Sequence, residues 1–87
     1  MRLREFKAKY MSMLLELRKK LTEKYPERKD RVNYIIDILM AKLENLRAFT
    51  LSDYIFTVYL ATKEFKEFEE VVPPKSEIES LLKSEKE

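Results

Sequence analysis

Apolar residues return along the first two dozen positions at steps of three and four: Leu3, Phe6, Tyr10, Met13, Leu14, Leu17 and Leu21. At 100° per residue they fall within a sector of about 100°, which predicts an amphipathic helix from about Arg2 to Lys24. Met11 and Leu15 lie outside that sector and widen the apolar surface. Pro26 ends the helix, because the residue ahead of a proline is pushed out of the α region, and it can serve as the first residue of the next one. A second stripe, Val32, Ile35, Ile36, Leu39, Leu43 and Leu46, predicts a helix from Glu27 or Asp30 to Ala48. Ile38 and Phe49 project from another side of it, with Tyr34 near them.

The third segment, LSDYIFTVYLATKEFKEF, carries two competing signals. YIFTVYL is rich in β-branched and aromatic residues and has strand propensity. As a helix, however, Leu51, Tyr54, Ile55, Val58, Ala61, Phe65 and Phe68 form one stripe, and Thr50 or Ser52 offers an N-cap. A lone strand would need a partner edge that no other segment offers, so a helix over about 51–70 is expected. Phe56, Tyr59 and Leu60 then stand on its reverse side. A bundle needs one apolar face per helix, so these surplus residues imply a further surface pressed against them. Phe56, Tyr59, Leu60, Ile38 and Phe49 are the expected association surface.

Val71, Val72, Pro73 and Pro74 interrupt the pattern with an extended stretch. Ser76 and Glu79 form an S-x-x-E capping box, which restarts a helix of about two turns through Ile78, Leu81 and Leu82. These three residues are the second choice for a contact surface, since a short amphipathic helix either covers the open end of a bundle or enters a partner's groove. Lys75, Ile78, Leu81 and Leu82 share the spacing of the sliding-clamp-interacting peptide of replication proteins, which the tail resembles over eight residues. Lys stands where that motif has Gln, and leucines stand where it has two aromatics. The expected architecture is all-α: a helical bundle domain over residues 1–72, with three antiparallel helices, and a break and short fourth helix over 73–87. It is expected to dimerise into a larger bundle.

Composition sharpens this picture. Eighty-seven residues make one domain near the lower limit for a self-sufficient core. The chain has no glycine, cysteine, histidine, tryptophan or glutamine. Hairpins usually take a glycine for positive φ, so its absence favours helices. Without Cys there is no disulfide or thiolate chemistry, and without His a nucleophile would have to be Ser, Thr or Lys activated by Lys or a carboxylate. No glycine-rich phosphate loop exists. An enzyme, a cofactor, a metal or a small-molecule substrate is therefore not expected. Glu67, Glu69 and Glu70 read as a solvated helix end. No apolar run spans a membrane and no signal-peptide pattern opens the chain, so the expected compartment is the cytoplasm. Abundant Lys, Arg and Glu with only two Asn fits a thermophilic protein.

Charge adds an alternative. Residues 1–31 carry 11 basic and 5 acidic side chains, a net +6, while residues 32–87 carry 7 basic and 11 acidic ones, a net −4. The basic third, with Lys19, Lys20, Lys24, Arg28, Lys29 and Arg31 around the first turn, could meet nucleic acid. Yet Arg4, Lys7 and Arg18 flank one edge of the first stripe while Arg2, Lys9 and Lys20 flank the other, as snorkelling side chains beside a core do. The leading expectation is thus a non-catalytic helical interaction module. It would be a self-associating or accessory subunit of a larger assembly, one that could process nucleic acid. Its partners are a second copy or a larger protein.

Overall fold

The first apolar stripe winds into α1, Leu3–Lys24, and buries Phe6, Tyr10, Leu14, Leu17 and Leu21. A computed structural model describes the backbone of residues 3–46 and 48–85, and the side chains of the same residues except 48–50, 82, 84 and 85. The Tyr25 amide donates to the Leu21 carbonyl at 2.8 Å and closes α1. Pro26 then opens a single 3-10 turn, Pro26–Arg28. α2, Lys29–Glu44, buries Val32, Ile35, Ile36, Leu39 and Leu43.

α2 stops at Glu44, four residues short of the expected Ala48, and it does so without glycine. The last carbonyls of a helix lack intrahelical donors. Here the Asn45 side-chain amide donates to the Ala41 carbonyl at 3.0 Å, and Lys7 Nζ reaches across from α1 to the Glu44 carbonyl at 3.0 Å. A cation at this end also opposes the negative pole of the helix dipole. Among the described residues none takes a positive φ.

The strand-prone third segment is helical. α3, Ala48–Glu64, buries Leu51, Tyr54, Val58 and Ala61. Thr57 and Thr62 donate their hydroxyls back to the Asp53 and Tyr59 carbonyls at 2.8 and 2.6 Å, so these β-branched residues sit in the helix with their polar atoms satisfied. Its bounds differ from expectation at both ends. The helix begins ahead of Thr50 and Ser52, neither of which is its cap, and it ends six residues before residue 70. Phe65 turns extended, at φ −135° and ψ 106°, and a 3-10 segment follows over Lys66–Val71.

Packing around Phe65 explains the break. Its buried ring lies 5.4 Å from Tyr25 and 6.1 Å from Phe68, with the Arg28 guanidinium 4.3 Å above it. α3 ends beside the C-terminal end of α1. Reversing the chain there lets Phe68 and Val71 bury against the core, instead of carrying them past it. Interactions between the helices show the resulting path. Arg18 pairs with Asp37, and Lys7 with Glu44, so α2 descends along α1. Arg31 pairs with Glu64, and Lys42 with Asp53, so α3 ascends along α2. Lys24 pairs with Glu67, Lys20 with Glu70, and Lys9 with Glu77, so residues 66–77 descend again along α1. The legs alternate up and down within principal extents of 46 × 20 × 19 Å.

The fourth leg ends in α4, Lys75–Glu85. The Pro74 carbonyl accepts from the Glu77 and Ile78 amides at 3.0 and 3.2 Å, so α4 starts one residue ahead of Ser76. Ser76 therefore lies inside the first turn and is not the N-cap that the S-x-x-E pattern suggested. The helix is 11 residues long, about three turns instead of two. It lies back on α1: Leu81 is fully buried in the common core, Pro73 is buried, and Ile78 and Val72 pack against the same cluster. The chain is all-α, and among the described residues there is no strand.

Candidate protein interaction surface

α2 and α3 turn one face inward and leave the opposite face to solvent. On that outer face Phe56 is 61% exposed, Tyr34 57% and Leu60 47%, while Tyr59, also exposed, stands on the side of α3 toward residues 66–72. Phe56 and Leu60 are one turn apart on α3, and Tyr34 and Ile38 one turn apart on α2. Between the helices runs a shallow groove of about 160 Å³ lined by Tyr34, Ile35, Ile38, Thr57, Leu60 and Ala61, with Arg31 and Glu64 at its end. Ile38 is half-buried in its wall.

Ion pairs bridge α2 and α3 at both ends of this face. At one end Glu64 receives Arg31 through two hydrogen bonds, at 2.8 and 2.5 Å, with Arg28 at 3.4 Å. The Arg31 guanidinium also stands 5.4 Å from the Tyr34 ring. At the other end Lys42 Nζ donates to Asp53 at 2.8 Å. Eleven helical residues separate Arg31 from Lys42, about 16 Å at 1.5 Å per residue. An apolar centre inside a charged rim has the anatomy of a protein contact surface. The Arg31 hydrogen bonds hold the Glu64 carboxyl below the usual carboxylate range, and the same bonds raise Arg31.

The expected surface residues divide. Ile38 and Leu60 line this groove and Phe56 lies one turn from Leu60, whereas Tyr59 lines a separate hollow with Thr62, Lys66, Glu69 and Val72, and the side chain of Phe49 is outside the described residues. Leu81 is a correction: it is enclosed in the chain's own core and presents nothing outward. Ile78 is half-buried beside it, and the side chain of Leu82 is outside the described residues. With Leu81 enclosed and Ile78 half-buried, these two positions of the clamp-like spacing are not arranged as a free anchor. α4 is held from beneath by Glu77, whose carboxylate accepts from Lys9 Nζ and, at 2.5 Å, from Tyr10 Oη. Those two donors lower the Glu77 carboxyl, and burial followed by the bond to Glu77 pushes the Tyr10 hydroxyl up.

The basic turn is occupied as well. Lys20 is 3.1 Å from Glu70 and Lys24 2.7 Å from Glu67, while Arg28 and Arg31 share Glu64. Lys19 and Lys29 are exposed and have no ion pair among the described residues. Of the carboxylates expected to form a solvated helix end, Glu69 and Glu70 are exposed, but Glu67 and Glu70 also act as counter-charges. Glu67 accepts from Lys24 and, at 3.1 Å, from Tyr25 Oη, and its side chain is only 11% exposed. The hydrogen bond from Lys24 lowers the Glu67 carboxyl and raises Lys24.

Sequence reasoning placed Tyr34 near Ile38 without counting it in the surface, and left out the Glu64 and Asp53 ends of the rim. Tyr34 was recoverable from its place one turn before Ile38. The acidic partners were not, since helix bounds and the turn geometry decide which carboxylates meet which cations. Among the described residues no group of acidic side chains is placed to hold a metal ion, and no helix is long and apolar enough to cross a membrane. Comparison of the chain with protein-family models, curated proteins and solved structures found no match.

Proposed function

We propose that this chain is a small non-catalytic helical interaction module that associates with a second copy of itself through the outer face of α2 and α3. The observation that supports this reading is the set of Tyr34, Phe56 and Leu60, each about half exposed, at and beside the Ile38 groove. Fully burying such a side chain gains about 1.5–3 kcal/mol, so half-exposed ones gain about half of that. Six of them in a two-fold contact gain about 5–9 kcal/mol. Association costs about 4–15 kcal/mol in lost rigid-body freedom. The balance fits a reversible, concentration-dependent dimer better than an obligate one.

Sedimentation velocity over a range from about 1 μM to 1 mM tests it. The expected result is a dimer that Phe56→Glu converts to monomer while the far-UV circular dichroism stays helical. A wild-type chain that remains monomeric throughout, with sedimentation unchanged by Phe56→Glu, overturns the proposal.

A further inference from the structure

The rim charges choose between the ways two copies can meet. Building on the self-association proposed above, we infer that the two-fold axis of the dimer runs along the lengths of α2 and α3, so that α2 of one copy covers α3 of the other. A dyad relating two faces in contact must lie in the plane between them, because the same patch is used on both sides. For a pair of antiparallel helices this leaves two limiting arrangements, with the axis along the helices or across them.

Each arrangement juxtaposes different charges. Within one copy, residue heights on α2 and α3 match across the pairs Arg31–Glu64 and Lys42–Asp53. With the axis along the helices, both ends keep their heights and the two helices exchange sides. Arg31 then faces the partner's Glu64, and Lys42 faces the partner's Asp53, so all rim contacts are between opposite charges. Phe56 and Leu60 fall opposite the partner's Ile38 and the partner's Tyr34, ring and branch against ring and branch. With the axis across the helices, the ends exchange heights instead. Arg31 then meets the partner's Lys42 and Glu64 meets the partner's Asp53, so every rim contact is between like charges. The apolar centre is the same in both cases and does not discriminate. The rim does, since like-charge juxtaposition at an interface is what suppresses wrong partners and wrong registers. Its two ends lie about 16 Å apart, beyond the Debye length of about 8 Å at physiological salt, and so act separately.

The test mixes two variants, Arg31→Glu and Glu64→Arg, and reads the species by native mass spectrometry with one copy isotopically labelled. Exposed ion pairs contribute little to folding, and circular dichroism checks that each variant stays helical. With the axis along the helices, each variant alone places like charges face to face and dimerises more weakly than wild type. In their mixture the carboxylate introduced by Arg31→Glu faces the guanidinium introduced by Glu64→Arg. The other contact at that end keeps the native Arg31 opposite the native Glu64. The ratio of heterodimer to each homodimer then exceeds the statistical 2:1 by about tenfold or more. With the axis across the helices, Arg31→Glu gains contact with the partner's Lys42, and the mixture is statistical. Dimers that mix statistically overturn the inferred arrangement and leave self-association standing. Wild-type chains that stay monomeric overturn the reading beneath it. Lys42→Glu mixed with Asp53→Lys repeats the measurement at the other end of the rim, and must give the same preference.

Discussion

Leu81→Ala asks whether α4 belongs to the core or merely rests on it. Leu81 is fully buried, on a helix that packs on α1 and follows Pro73 and Pro74. The substitution removes three carbon groups, worth about 0.8 kcal/mol each in transfer from water, or about 2.4 kcal/mol before any cavity term. Buried Leu→Ala changes cost about 2–5 kcal/mol in general, and a site covered by one short helix can collapse, so about 2–3 kcal/mol is expected. A chain of this length holds about 4–13 kcal/mol in total. With a urea dependence of about 1–1.5 kcal/mol per molar, near the low end for small domains, the unfolding midpoint should fall by about 2 M. Urea titration followed by circular dichroism, at one fixed protein concentration so that any self-association acts alike on both proteins, measures it. Lys83→Ala, on the exposed side of the same helix, should stay within about 0.5 kcal/mol of wild type. A Leu81→Ala protein with the wild-type midpoint, and unchanged amide protection across residues 75–83, would refute the packing argument for α4.

Further expectations concern the charged contacts. The carboxyls of Glu64, Glu67 and Glu77 are lowered from an ordinary 4.5, chiefly by hydrogen bonds from Arg31, Lys24 and Lys9. Their contribution to stability is therefore complete above 4.5 and drains away as pH falls through the lowered values. Urea midpoints should hold level from pH 7 to 5 and decline below 4.5, with a shallower decline in Glu77→Gln; a Gln variant that follows the wild-type curve would contradict this. Tyr10 and Tyr54 are raised from 10.0, both chiefly by burial, so they stabilise the fold fully below pH 10 and lose that contribution above it. Ultraviolet titration should register these two phenols only as the chain unfolds in alkali, and early ionisation of all five tyrosines would count against their burial. Phe65→Ala should cost about 3–5 kcal/mol, visible as loss of cooperative thermal unfolding. Duplex and single-stranded DNA should show no steeply salt-dependent mobility shift between about 50 and 200 mM salt, since four of the six cations at the turn face carboxylates; a steep shift would restore the basic turn as a nucleic-acid surface.

Periodicity made much of this fold legible, and the reason is visible in α1. Its stripe is uninterrupted from Leu3 to Leu21, Pro26 marks its end, and the helix stops at Lys24 as read. The helical reading of YIFTVYL succeeded for a similar reason. One face of that segment fits a core, and burial of Leu51, Tyr54, Val58 and Ala61 outweighs its strand propensity. The break at Phe65 left no such mark. No glycine or proline stands there, and Phe65 and Phe68 continue the helical stripe as well as they serve a reversed chain. What decides between those paths is the space beside Tyr25 and Arg28, which a one-dimensional pattern does not contain. The Ser76 box misled for a related reason. The two prolines already provide a non-helical entry, and the Pro74 carbonyl starts the helix one residue sooner.

Missing that reversal also distorted the reading of charge. A net +6 in the first third and −4 in the rest looks like one pole awaiting an external partner if the legs are imagined apart. Once the chain folds back at Phe65, the basic edge of α1 and the first turn lies along Glu64, Glu67, Glu70 and Glu77. Each exposed pair contributes little by itself, so these contacts do not hold the core together. Their value lies in order: an acidic return leg fits beside a basic α1 in one direction and register, and a leg paired elsewhere would leave like charges adjacent. Apolar stripes are indifferent to such choices, because a leucine packs about as well against any neighbouring leucine. In the dimer proposed above, the outer face of α2 and α3 would pose the same problem between molecules, with an undiscriminating apolar centre and charges at its ends. Arg31 and Glu64 serve both purposes: they set the register of α3 on α2 within the chain, and they lie where a second copy would read it.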